Sequence, residues 1–131
     1  MSNRSHKQLS DVELQKRRTE LIALCRNPRH RRSGGALKHP SKWWPERVTN
    51  PESGMVFTDS GAWHLIADEL ERGAELQTIT LHTPAKKTGY VMLIFLEERQ
   101  PELYVKLQLS GGRAWGRSFH YSDPKGGGSS E

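Results

Sequence analysis

The segment from Leu103 to Tyr121 constrains this chain more than any other. Leu103, Val105, Leu107 and Leu109 alternate with Tyr104, Lys106 and Gln108, the two-residue period of a strand with one face buried. Gly111 and Gly112 follow, and a second stretch runs back to Tyr121, so the sequence predicts a β-hairpin with two chemically different faces.

Two registers compete. A two-residue Gly111-Gly112 loop sets Lys106 beside Arg117 and the leucines beside Gly116 and His120, whereas a three-residue loop over 111–113 shifts the pairing by one and exchanges the faces. The second is preferred. It places Trp115, Phe119 and Tyr121 against the leucine face and gathers Tyr104, Lys106, Gln108, Ser118 and His120 on the other. Its cost is Arg117 on the apolar side, acceptable near an edge where the guanidinium reaches water.

A core must exist to hold such a hairpin, yet only 34% of the 131 residues are hydrophobic, so the core is expected within residues 55–121. Charge is distributed unevenly as well. Residues 1–50 hold twelve Lys/Arg against four Asp/Glu, and residues 51–131 hold eight against eleven. The expected organisation is therefore a basic helical and irregular arm over 1–50, a compact domain over 51–122 and a flexible Gly/Ser-rich tail over 123–131. A basic arm calls for an anionic partner, most economically nucleic acid. The single cysteine, Cys25, excludes an internal disulfide framework. The sequence has no run of about 20 apolar residues and no secretory leader pattern, so a soluble cytoplasmic protein that does not engage membranes is expected.

Within the arm, Ser10 or Asp11 caps a predicted helix running to about Arg26, with a ragged apolar stripe of Val12, Leu14, Leu21, Ile22, Leu24 and Cys25. Such a helix either docks by one edge or folds on a partner. Arg29, Arg31, Arg32 and Lys38 follow among Pro and Gly, and Trp43 and Trp44 lie between Lys42 and Arg47. That interleaving of rings and cations suits stacking on unpaired bases, although indoles also serve to cover a core. A second helix is expected after residues 57–60, with Trp63, Ile66, Ala67 and Leu70 on one side, His64 off the stripe, and Gly73 as its stop. Strands follow over 76–83 and 90–96, the latter apolar on both faces and hence central, joined by a basic loop with Lys86 and Lys87. The predicted fold is α+β: the N-terminal helix and basic arm, then one further helix packed on a four-stranded antiparallel sheet.

The chemistry-bearing motifs of common enzymes are missing. The sequence has no paired helical histidines, no second cysteine, no Gly-x-Ser-x-Gly elbow and no phosphate-binding glycine loop, so no metal or other cofactor is implied. The polar hairpin face, cationic and neutral, suits metal-independent cleavage of RNA instead. That reaction needs a base for the 2′-hydroxyl proton, cations for the phosphate and an acid for the leaving oxygen. His120 and His82 can move protons near neutral pH, and Lys106 and Arg117 can offset phosphate charge. Tyr104 and Ser118 complete the candidate catalytic set. Lys86, Lys87, Tyr90, Gln108, Tyr121, Trp43, Trp44, Arg31 and Arg32 form the candidate substrate-binding set.

Helix, helix and antiparallel sheet, ending in Tyr104-Val-Lys-Leu-Gln108 and Arg117-Ser-Phe-His-Tyr-Ser122, together resemble the small toxin ribonucleases of the RelE, MqsR and colicin-ribonuclease superfamily over about residues 55–122. MqsR-type toxins, as the resemblance has it, pair a Tyr-x-Lys strand with a closing Ser-Phe strand. They cut messenger RNA without metal, under control of a cognate antitoxin. The chain departs from them in its longer basic arm and in carrying His120 after the Ser-Phe pair. The resemblance implies an endoribonuclease toxin whose partners are RNA and an antitoxin or inhibitor protein. The competing readings are a non-catalytic RNA- or DNA-binding module and a phage- or plasmid-type interaction adaptor.

Overall fold

Ser10 opens the first helix by accepting a hydrogen bond from Glu13 N at 3.1 Å, and α1 runs over Asp11–Cys25. The computed structural model describes residues 10–33, 41–81 and 87–122. After α1, a 3₁₀ turn (Pro28–His30) leads into β1 (Arg31–Arg32), then come β2 (Lys42–Trp43), a second 3₁₀ turn (Pro45–Arg47), α2 (Asp59–Glu71), β3 (Gln77–Thr80), β4 (Thr88–Ile94), β5 (Leu103–Ser110) and β6 (Arg113–Tyr121). Thr58 caps α2 by accepting from Gly61 N. Gly73, at φ +94°, ends it in a backbone conformation that favours glycine.

The fold is α+β, as the pattern of elements predicts, but the sheet is larger than four antiparallel strands. The strands β3 to β6 form the expected meander, and β1 and β2 add parallel pairings along β6, giving a mixed six-stranded sheet. Arg31 and Arg32 align with Ala114 and Trp115, and Lys42 and Trp43 with Ser118 and Phe119. Irregular, basic composition hides such two-residue pairings, because strands of that length carry no period.

One core lies between the helices and one sheet face, built from Trp63, Ile66 and Leu70 of α2 against Met92, Ile94, Leu103, Val105, Leu107 and Phe119. Leu21, Cys25, Trp43 and Val48 belong to the same core, so residues on both sides of the expected boundary at 50 share it. The ragged stripe of α1 is docked by burial of Leu21 and Cys25, at about 1.5–3 kcal/mol for a fully buried Leu. Arg18 reinforces the contact by donating to the Leu70 carbonyl at the C-terminal end of α2. Arg26 pairs with Asp68 at 2.8 Å and Glu71 at 2.9 Å. These exposed ion pairs rank below the apolar contact, since such pairs contribute about 0–1 kcal/mol each.

Both hairpin registers occur, one on each side of a bulge. Near the turn Ser110 pairs with Arg113 and Leu107 with Gly116, the two-residue-loop register. Beyond a shift between Lys106 and Leu107, Lys106 pairs with Ser118 and Tyr104 with His120, the preferred three-residue-loop register. The loop itself is Gly111-Gly112, with φ +63° and +73°, the left-handed pair that a type I′ turn requires. Arg117 is the extra residue that absorbs the shift. It is not on the apolar side as expected: its Nη1 donates to Gln108 Oε1 at 2.7 Å. Trp115 is likewise displaced from the predicted core face, pairing with Gln108 while its indole donates to the Ser110 carbonyl.

Candidate functional site

The sheet face turned away from the helices carries the candidate site, and the pairings set its order. One row crosses the sheet as Leu93, Tyr104 and His120, continued by Trp44, the residue after β2, whose ring lies 5.8 Å from that of His120. The next row is Val91, Lys106, Ser118 and Lys42. Lys106 and Lys42 thus flank Ser118 from opposite sides.

The environments of the two rows differ. Lys106 is 3% exposed and Gln108, Arg117 and Ser118 are each 5% exposed, so four members of the predicted set are buried polar groups. At the turn end, Leu81 lies over Gly89, whose Cβ would fall 2.8 Å from Leu81 Cδ2. In the first row Tyr104, His120 and Trp44 are half-buried, and Leu93 is 50% exposed. The accessible part of the face is therefore the ring row, with Lys42 exposed beside it.

His120 is chemically defined by its own backbone. Its Nδ1 lies 2.8 Å from the Tyr121 carbonyl. A carbonyl only accepts, so Nδ1 carries the proton and, in the neutral ring, Nε2 keeps its lone pair. Burial lowers the pKa of His120 below the ordinary 6.5, the Tyr121 bond opposes this, and the charges of Lys42 and Lys106 lower it further. The ring sits between two others, with centroids 5.4 Å from Tyr104 at 39° and 5.8 Å from Trp44 at 52°. Arg47 places its guanidinium carbon 4.2 Å from the Trp44 ring centre, a cation–π contact at the end of the row.

Of the predicted catalytic residues, the structure brings together His120, Tyr104, Lys106, Ser118 and Arg117 on one face. His82 and Lys86 lie outside the described residues. Lys87 is exposed where its carbonyl accepts from Leu81 N, at the close of the β3–β4 connection. Several predicted substrate-binding residues lie elsewhere. Trp43 is a core residue, 4.9 Å from Trp63 and 5.4 Å from Phe119, with its indole donating to Asp59. Tyr90 pairs with Leu107 on the core face, where burial, the largest influence, raises its pKa. Tyr121 faces away from His120 along β6, and its hydroxyl accepts from Thr49 N. Arg31 donates to the Cys25 carbonyl and lies over Trp63. Arg32 donates to the carbonyls of Arg29 and Arg31. These two arginines serve the fold of the segment that carries them.

Sequence reasoning passed over Leu93 as a site residue and weighed Lys42 and Arg47 only as part of a basic cluster. The usable signal was the alternation Lys42-Trp43-Trp44: once one indole is core, its neighbour must face the other way. Among the described residues no group of His, Cys, Asp and Glu could hold a metal ion, and no helix is long and apolar enough to cross a membrane. No protein-family model, no curated protein and no solved structure matches the chain.

Proposed function

We propose that the chain is a metal-independent endoribonuclease that cleaves at His120. The observation that carries this reading is the His120–Tyr121 contact: it fixes the tautomer so that Nε2, the basic nitrogen, remains available. The lowered pKa keeps that nitrogen unprotonated at neutral pH.

In the proposed reaction, Nε2 of His120 takes the proton from a 2′-hydroxyl as that oxygen attacks the adjacent phosphorus. The P–O5′ bond breaks, leaving a 2′,3′-cyclic phosphate and a 5′-hydroxyl that gains a proton. Tyr104, paired with His120 across the strands, is the nearest phenol for that proton. Lys42, exposed beside Ser118, offsets the charge building on the phosphate oxygens. Lys106 is too enclosed to meet a phosphate as the structure stands. Its part is to add positive potential and help hold His120 neutral. An enzyme that attacks a cell's own RNA requires restraint, so a neutralising partner protein, as in a toxin–antitoxin pair, belongs to this reading.

The test is incubation of the purified chain with total RNA in excess EDTA. The expected result is cleavage with cyclic phosphate ends, reduced about 10²–10⁴-fold in His120→Ala. Intact RNA with wild-type protein would sink the reading. The burial of Lys106 and Ser118 favours a second one, a non-catalytic single-strand-binding module, in which the same face binds and releases RNA uncut.

A further inference from the structure

From the ring row on the sheet we infer a track for two to three unpaired nucleotides, with Trp44 as the residue that stacks the base beside the reacting phosphate. This deepens the nucleic-acid reading of the same site and does not require that the RNA be cut.

The sheet supplies the spacing. Leu93, Tyr104 and His120 sit on three adjacent strands and Trp44 follows β2 on the far side of β6. At about 4.8 Å per strand, the row extends about 14 Å, enough for two or three bases of a strand laid across it. The rings keep accessible surface, although one side of Trp44 is taken by the Arg47 guanidinium, 4.2 Å from the ring centre, which an incoming base must share or displace. Tyr104, His120 and Trp44 are tilted by 39° and 52° from one another and each is half-buried, so none seals its neighbour as a parallel stack would. Every base has a π-face, which is why such a surface tolerates any sequence but needs the base unpaired.

Charge complements the rings. Lys42 lies beside Ser118 in the next row, about 7 Å along the strands, and is exposed. Arg47, also exposed, caps Trp44. A strand with its bases on the rings has its phosphates displaced toward one side, and Lys42 stands on the side where the second row runs. The backbone at Trp44 is fixed independently of its ring, by the Trp44 N bond to the Phe119 carbonyl and the Arg47 N bond to the Trp44 carbonyl. The ring can therefore be removed without loosening the strand.

The experiment compares a short oligodeoxyadenylate with an abasic strand of equal length. Neither can react through a 2′-hydroxyl, so binding is read whether or not RNA is cleaved. Trp44→Ala should weaken binding of the base-bearing strand by about 5- to 150-fold, the range base–aromatic stacking contributes, and leave the abasic strand unchanged. Trp44→Phe should restore most of the loss, and the adenylate paired in a duplex should bind more weakly than when single-stranded. Equal losses on both strands, or no loss on either, would overturn the track and leave the Leu93 end of the row to a protein partner. Base-dependent binding by a protein that leaves RNA intact would uphold the track and remove only the cleavage reading.

Discussion

Gly116 makes room for Trp43. A Cβ at position 116 would fall 2.6 Å from Cε3 and 2.7 Å from Cη2 of the Trp43 ring, closer than packed atoms tolerate. The absent side chain lets the indole settle against β6 in the core, beside Trp63 and Phe119. With Trp43 committed to that side, Trp44 is turned to the other, next to His120. One glycine thus decides which tryptophan is structural and which is available.

Gly116→Ala is therefore expected to destabilise the fold by about 1–3 kcal/mol, the usual cost of overpacking, and to lower the melting temperature by roughly 3–10 °C. Because the indole must move, β2 moves with it, and binding through Trp44 should weaken in the same variant. Thermal melts of the two proteins decide it: an unchanged midpoint would mean that Trp43 has space the structure does not show.

The hairpin, both helices and the meander were legible because each carries a period or a cap: the alternation from Leu103 to Leu109, the Ser10 and Thr58 caps, the left-handed glycines at 73, 111 and 112. The parallel pairings of β1 and β2 were not, since two residues have no period and their partners lie 76 to 83 positions away in the chain. The site was legible in part. His120, Tyr104, Lys106 and Ser118 share a face because their pairing follows from alternation, but burial of Lys106 is a tertiary property. Arg117 misled for a related reason: a bulge is invisible to a reading that allows one register per hairpin.

His120 should titrate below its ordinary value. Burial, then Lys42 and Lys106, favour its neutral form, so the folded chain binds that proton more weakly than the unfolded chain. Stability is accordingly expected to fall as pH drops below about 6.5 and through the folded pKa. Cleavage, if His120 is the base, should persist below pH 6.5. Lys42→Ala removes an exposed charge and should raise the titration midpoint of the His120 Hε1 resonance, moving the acidic limb of the rate profile with it. A midpoint that stays put in the variant would detach Lys42 from the site.

Cys25 should be inert in the native chain. Burial pushes its thiol up to about 12 against the opposing charges of Arg31 and Arg26, and its side chain is fully enclosed. Thiolate is the reactive form, so a thiol reagent at pH 8 should label the native protein only as fast as it unfolds, and promptly in denaturant. Rapid stoichiometric labelling without denaturant would show that α1 leaves the core readily.

Arg117 offers a test of the bulge itself. The pairs on the turn side, continued past Leu107 without a shift, would place the next residue of β6 opposite Lys106. Removing Arg117 puts Ser118 there, its present partner. Deletion should therefore preserve both faces, keeping Phe119 opposite Val105 and His120 opposite Tyr104, at the cost of the Arg117–Gln108 bond and of the spacing between β1 and β2. An added alanine between Arg117 and Ser118 does not keep those partners: with the same unshifted pairs it carries Phe119 two residues along β5, opposite Leu103 and away from Trp43 and Phe57, against which it packs, and losing the packing of a buried phenylalanine costs about 3–5 kcal/mol. The deletion variant should give a dispersed amide spectrum and a cooperative melt, and the insertion variant should not. A folded insertion beside an unfolded deletion would show that the bulge is required for the register and is not an accommodation within it.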